Sequence, residues 1–266
     1  REVGDQKGIL IAQENMGVYL FLQGDFPAAG QALEKAVALA RKLGDRQASS
    51  DAIQCLGRIH AARAEAVAAD LRFREALRSL SDEDDRDLRA SILAALALTR
   101  LALGDGEGAA DAVREALWLL GEGKSPESRV EVLLASSELE LSKGELPLAE
   151  KNAREALDLL GPGGSRYDQA LAQRQLGRVL REMGPDQVDR SDKSLGAALR
   201  AFEEMGAPAE MAATLVEIGL VWEALGEPLE AKARYAEALG ALAAVDAPLR
   251  RTAIEERIGG LEKRLP

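Results

Sequence analysis

The sequence predicts an all-α protein, an α-solenoid of six stacked helical hairpins followed by a capping helix. One observation is a glycine turn, Gly24, whose counterparts recur at a spacing of 40 residues, lengthening to 42 at the last step. These counterparts are Ala64, Gly104, Gly144, Gly184 and Gly226. The other observation is composition: 47% of the residues are apolar but only 3% are aromatic, so that alanine and leucine, both strong helix formers, dominate. An internal period of this size is typical of stacked supersecondary units.

The whole chain, 1–266, is predicted to be a single solenoid domain. Its 266 residues exceed the usual size of one compact core, yet no composition shift or long linker divides them. In a solenoid each hairpin buries its apolar face only on its neighbours, so one core does not limit the length. The predicted hairpins cover about residues 5–44, 45–84, 85–124, 125–164, 165–206 and 207–246, and the capping helix covers 248–265.

The first hairpin sets the pattern for the others. Ile9 and Leu20 belong to a set of apolar residues at helical spacing, and this first helix is predicted to end at Gly24. Pro27 then fits the first turn of a second helix, because the backbone N–H there lacks an intrahelical partner anyway. That helix is predicted to run to about Leu43.

Later hairpins repeat this pattern with one exception. In the fifth, the segment PDQVDRSDKS after Gly184 adds two residues before Ala198. We interpret this insertion as a tolerated surface loop, with a role in recognition as the alternative. After the sixth hairpin, Ile254, Leu261 and Leu265 lie on one side of a final helix, as expected of a cap with a polar outer face.

The recurring residues resemble the tetratricopeptide repeat (TPR). The first hairpin supplies Met16, Gly17, Gly24, Asp25, Phe26, Ala29, Ala36 and Val37, and the sixth supplies Ile218, Gly219, Gly226, Ala231, Tyr235, Ala238 and Leu239. The period is 40 rather than the usual 34 or so residues. Arrays with such long repeats are similar to those of kinesin light chains and large bacterial signal-transduction regulators. The resemblance implies a right-handed superhelix whose first helices line a concave groove that binds a protein or peptide, and it implies no reaction.

Composition and net charge indicate which classes of partner the chain is expected to bind. The net charge of -11 and the pI near 4.9 disfavour binding to nucleic acid or to an anionic membrane, because both surfaces would repel the chain. The sequence contains no run of about 18 apolar residues, so no membrane span is predicted. The single cysteine, Cys55, suits a reducing compartment, so the predicted location is cytoplasmic. Expected partners are proteins or peptides, including other domains of the same parent protein.

No catalytic or metal site is predicted, and no cofactor. Cys55 and His60 are five residues apart on one predicted helix, about 140° around its axis, so they cannot face each other as a dyad. One cysteine and one histidine are too few for an ordinary zinc site, and no HExxH motif occurs. We therefore expect a non-catalytic protein.

An arginine stripe is the most distinctive candidate for partner binding. Arg174, Arg178 and Arg181 are spaced i, i+4 and i+7 on the first helix of the fifth hairpin, and by family register they line the groove. Guanidinium groups in a row could bind an acidic segment of a partner. The alternative is that they pair internally with Glu138, Glu182 or Glu223.

Other candidates occupy the same register in other hairpins. Gln54 and Arg58 do so in the second hairpin and Glu138 does so in the fourth, while Val18, Phe21 and Leu22 form an apolar patch in the first. This patch is either covered by an upstream segment or receives an amphipathic helix of a partner. The sequence therefore predicts a protein-binding scaffold. The alternative is the sensing domain of a larger bacterial signalling or transcription regulator.

Overall fold

A computed structural model describes residues 2–81, 85–121 and 125–263, and all regular elements in these ranges are helical. The thirteen α-helices of the described ranges are α1 (Glu2–Leu22), α2 (Phe26–Leu43), α3 (Arg46–Ala62), α4 (Ala66–Ser79), α5 (Arg86–Ala102), α6 (Gly106–Leu120), α7 (Pro126–Ser142), α8 (Leu146–Leu160), α9 (Arg166–Glu182), α10 (Val188–Met205), α11 (Pro208–Ala224), α12 (Pro228–Ala241) and α13 (Pro248–Glu262). The prediction of an all-α fold is confirmed.

The first twelve helices form six sequential antiparallel hairpins, and α13 packs against α12 as the cap. We call the odd-numbered helices α1 to α11 A helices and the even-numbered helices α2 to α12 B helices. This is a TPR-like solenoid, as the sequence predicts. The residues group into two compact units, 1–135 and 136–266, with the boundary inside α7. That residues 1–266 form a single domain stays a prediction.

Glycine and aspartate have separate tasks in the recurring turn. All six predicted turn positions have positive φ: 77° at Gly24, 62° at Ala64, 78° at Gly104, 77° at Gly144, 111° at Gly184 and 78° at Gly226. Glycine adopts such values without steric cost, so it ends the A helix. The following Asp25 and Asp105 then cap the next helix, because their carboxylates accept the backbone N–H of Ala28 and Gly108 at 3.1 and 2.8 Å.

A second glycine in the motif permits close approach of the two helices of a hairpin. A Cβ at Gly17, Gly57, Gly177 or Gly219 would lie within 2.4 to 2.6 Å of a side chain on the adjacent B helix. The facing residues are Leu33, Phe73, Leu195 and Tyr235. All four are buried, so the small-residue position lets a large B-helix side chain lie against the A-helix backbone.

The segment with two additional residues in the fifth hairpin is mostly helical rather than an open loop. A single 3₁₀ turn, Pro185–Gln187, follows the A helix, and α10 begins directly at Val188. The expectation of a surface loop is therefore wrong for most of the segment. The two residues lengthen the turn, and Ser191 Oγ still donates to the Gly177 carbonyl at 2.7 Å, so the A and B helices remain in contact.

The cap buries the residues that the sequence assigned to it. Ile254 and Leu261 are 6% and 4% exposed. Leu265, which was predicted to extend this apolar side, lies outside the described residues. The apolar stripe of α13 is thus placed against the array, while its charged residues face away or pair with α11 and α12.

Ala64 is the one non-glycine residue with positive φ in the described ranges. Replacing Ala64 by glycine is expected to raise the free energy of unfolding by about 1 kcal/mol, because a left-handed conformation strains a residue that has a Cβ. The matched control is Gly24→Ala at the equivalent turn, which should lower stability by a similar amount. Urea denaturation measures both, and a neutral or destabilising Ala64→Gly would contradict the assignment of strain to this turn.

Candidate partner-binding face

Side chains at the predicted groove register join successive A helices in the first unit. Gln54 on α3 donates to Ser91 Oγ on α5 at 2.7 Å, and Ser91 Oγ in turn donates to Glu131 on α7. Arg58 on α3 also pairs with Glu131, at 2.5 Å. These contacts place the register positions of α3, α5 and α7 on one side of the array, where Gln54 and Ser91 themselves are buried. We call the surface formed by these positions and their equivalents on α1 the first A-helix face.

Arg178 has carboxylates on both sides in the second unit. Its guanidinium lies 2.8 Å from Glu138 on α7 and 3.1 Å from Glu217 on α11. Burial disfavours its charge, but the attraction of the two carboxylates outweighs burial and raises the pKa of Arg178. The guanidinium is therefore held as a bridge between the helices on either side of α9.

Arg174 belongs to a second buried cluster. It pairs with Glu210 on α11 at 2.6 Å and lies over the Phe202 ring at 5.4 Å. Tyr167 donates to the same carboxylate at 3.1 Å. Burial favours the neutral acid, yet Arg174 and Arg250 hold the pKa of Glu210 below its ordinary value. This carboxylate thus remains ionised between two cations.

Arg181 is also paired, with Glu217 at 2.9 Å and Glu182 at 2.8 Å. Of the three internal partners considered for the stripe, Glu138 and Glu182 are therefore in place. Glu223 pairs instead with Arg257 of α13, at 3.0 Å, and accepts the Tyr235 hydroxyl. The geometry favours internal pairing of the arginine stripe, and its binding of an acidic partner stays a prediction.

Sequence reasoning missed Glu210 and Glu217, although a signal for them exists. Glu210 follows Arg174 by 36 residues and Glu217 follows Arg181 by 36, whereas register alone pairs positions 42 residues apart. Side chains on a helix tilt towards its N-terminus, and an arginine is long enough to span more than a turn. The contact therefore falls on a residue of α11 that precedes the register position.

The first A-helix face exposes apolar side chains. Ile11 and Val18 on α1 are 55% and 43% exposed, and Leu98 on α5, in register with Val18, is 42% exposed. The predicted Phe21 and Leu22 are both half-buried, and the Phe21 ring lies 5.7 Å from the Phe26 ring. Val18 is thus the exposed member of the predicted apolar patch, and Leu98 is exposed at the same register on α5.

Carboxylates lie beside this patch. Burial, followed by repulsion from Asp51 and Asp45, raises the pKa of Glu14 to about 7. Burial also raises the pKa of Asp51, where attraction to Arg58 opposes repulsion from Glu131. Glu14 Oε1 is buried and has no hydrogen-bond partner among the described residues. The α1 side of the face is therefore short of positive charge.

Cys55 and His60 are not arranged as a reactive pair. Burial, with repulsion from Asp51, raises the pKa of the Cys55 thiol to about 12, so the thiol is protonated near neutral pH. The His60 ring nitrogen Nδ1 lies 2.7 Å from Glu65 Oε2 and is engaged there. Within the described ranges no three His, Cys, Asp or Glu side chains are grouped to hold a metal ion.

Glu14 should make stability depend on pH. Because its pKa in the folded state is above the ordinary 4.5, its contribution is fully present below pH 4.5 and is lost as the pH rises through about 7. Glu14→Gln is therefore expected to stabilise the protein at pH 8 by about 1 kcal/mol, a figure reduced for solvent screening of a half-exposed group. Urea denaturation at pH 4.5 and 8 tests this, and equal effects at both pH values would contradict it.

The comparisons with known proteins concern the fold. No protein-family model and no curated protein sequence matches this chain. The crystal structure of BtubC (BKLC) from P. vanneervenii is similar over 81% of this chain and 90% of that one, with a TM-score of 0.56 and 22% identity. A Rap protein complexed with Competence and Sporulation Factor is similar over 96% of this chain and 75% of that one, with a TM-score of 0.65 and 11% identity.

A third similar structure is a Signal Transduction ATPase with Numerous Domains (STAND) protein with a tetratricopeptide repeat sensor, from Pyrococcus horikoshii. It matches 85% of this chain but only 34% of its own length, with a TM-score of 0.59 and 14% identity. With the hairpins and turns described above, these similarities define the class: the chain is a TPR-like helical repeat protein. No helix in the described ranges has the length and apolar character needed to cross a membrane.

Proposed function

We propose that the chain is a non-catalytic binding module that holds a protein or peptide segment on its A helices. The observation that carries this proposal is the first A-helix face, where Ile11, Val18 and Leu98 remain exposed on helices whose register positions share one surface. Apolar side chains that are exposed together are typical of an interaction site. TPR-like folds generally bind proteins or peptides, which supports the proposal.

Selection from a random peptide library, followed by amide hydrogen exchange of the complex, tests this function. Selected peptides are expected to slow exchange in α1, α3 and α5 and to leave the B helices α2, α4 and α6 unchanged. Protection confined to the B helices, or a library that yields no binding peptide, would overturn the proposal.

A regulatory role within a larger protein is the second candidate. Similarity to the repeat sensor of a STAND protein, of which this chain matches 34%, and to a Rap protein in complex with a factor favours it. In that role, binding would change the state of an attached effector domain. The effector domain would respond to the partner only when the effector and this repeat module are on one chain. A simple scaffold would bind its partner equally well when the module is isolated.

A further inference from the structure

The first A-helix face divides into an apolar part and an acidic part. On α1, Ile11, Glu14, Val18 and Phe21 are spaced i, i+3, i+7 and i+10, so they lie on one side of the helix. Val18 and Leu98 hold the same register on α1 and α5, two A helices apart. Exposed apolar residues therefore lie at the α1 and α5 ends of the face, and Glu14 lies among those of α1.

The charge on this face is uneven. Arg58 lies between the two apolar ends in register. Its guanidinium pairs with Glu131, so the charges of these two side chains compensate each other. Glu14 and Asp51 remain on the α1 side, close enough to repel each other, and Asp45 adds to the repulsion at Glu14. A positively charged group placed there would relieve the repulsion and supply a partner for Glu14 Oε1.

Taking the proposed function as its basis, we propose that the first A-helix face binds an amphipathic helix of a partner protein that carries a lysine or arginine. The apolar side chains of this helix cover Val18 and Leu98, and its basic side chain reaches Glu14 and Asp51. Charge complementarity determines the occupant: an acidic segment would be repelled by the carboxylates of Glu14 and Asp51 on this face.

The dimensions suit a short helix. Adjacent packed helices are about 8 to 10 Å apart, so Val18 and Leu98, two A helices apart, are separated by about 16 to 20 Å. A helix of about 12 residues has this length. It satisfies its own backbone hydrogen bonds, so it can lie on the side chains of α1, α3 and α5 as helices do in other apolar grooves.

Two labelled 15-residue peptides provide the test, one of leucine and lysine in an amphipathic helical pattern and one with glutamate in place of lysine. Fluorescence anisotropy is expected to show binding of the lysine peptide, weakened at least tenfold by Glu14→Gln combined with Asp51→Asn. The matched control, Glu107→Gln with Asp111→Asn, removes the same charge from the B helix α6 and should change affinity less than threefold. Equal losses in both variants would mean attraction to net charge alone and would overturn the inference.

The apolar part of the first A-helix face is tested by its own matched pair of double variants. Val18→Gln with Leu98→Gln should weaken the lysine peptide at least tenfold. Val67→Gln with Leu71→Gln, on the B helix α4 where these residues are 66% and 59% exposed, should change its affinity less than threefold. Similar losses in both pairs would overturn the assignment to the first A-helix face.

The pH dependence adds a readout that folding defects do not imitate. Burial, followed by repulsion from Asp51 and Asp45, raises the pKa of Glu14, and a cation beside Glu14 lowers it, so binding releases a proton. Affinity for the lysine peptide should rise from pH 5.5 to 8 in the parent protein and rise less in Glu14→Gln, where Asp51 alone titrates beside the peptide's cation. If the glutamate peptide alone binds and protects α1, α3 and α5, this inference fails while the proposed function stands. If no library peptide protects these helices, the proposed function fails.

Discussion

Replacing Gly219 by valine is expected to lower the free energy of unfolding by about 3 kcal/mol, the upper end of the range for overpacking a core. A Cβ at this position would lie 2.4 Å from Tyr235 Cε1. Tyr235 is fully buried and its hydroxyl donates to Glu223, so the ring cannot move aside without losing that hydrogen bond. Urea denaturation followed by circular dichroism measures the loss.

Gly240 provides the matched control in the same hairpin. It lies in α12, and a Cβ there would meet nothing within 4 Å. Gly240→Val should therefore change stability by no more than about 0.5 kcal/mol. If the two valine variants are equally stable, the close approach of α11 and α12 is not what requires glycine at this position of the motif.

Removing the guanidinium of Arg178 has the second largest expected effect. Arg178→Met should lower the free energy of unfolding by about 3 kcal/mol, because Glu138 would lose its arginine partner in a largely buried site and Glu217 would keep only Arg181. Arg114→Met is the control, since its pair with Asp111 is 75% and 61% exposed, and it should cost less than about 0.5 kcal/mol. Adding Glu138→Gln to Arg178→Met should recover part of the loss, because it removes the carboxylate charge that has lost its arginine partner. An Arg178→Met protein as stable as the parent would show that the pairs contribute nothing.

The same pairs permit a direct test of the arginine stripe as a site for an acidic partner. A partner carboxylate must displace Glu217 from Arg178 and Arg181, so Glu217→Gln should strengthen binding of an acidic peptide if the stripe is its site. Charge reversal of the stripe alone does not decide, because it also breaks the internal pairs and lowers stability. Unchanged or weaker binding in Glu217→Gln would leave internal pairing as the sole role.

Much of the fold was predictable because the information is local and repeated. The glycine spacing predicted six turns, and all six positions have positive φ. Leu43, the predicted end of the second helix, is also its end in the structure. The insertion was misread, since Pro and Asp suggested a loop where a 3₁₀ turn leads directly into α10.

The candidate site was less predictable because its contacts join residues that are distant in sequence. Register placed Arg174, Arg178 and Arg181 on the A-helix side, but it did not identify Glu210 and Glu217 as their partners. It likewise indicated the apolar patch of α1 without showing that Leu98 continues it on α5.

By itself, the sequence determined the class of protein, the number of hairpins and the helix ends, because glycine, proline and apolar periodicity act on a few neighbouring residues. Only the tertiary structure decided which charges are satisfied. The arginines of α9 have carboxylates within reach on α7 and α11, whereas Glu14 on α1 has Asp51 and Asp45 nearby and no hydrogen-bond partner for Oε1 among the described residues. The strength of an ion pair depends on distance and burial, which are set when the helices pack against each other.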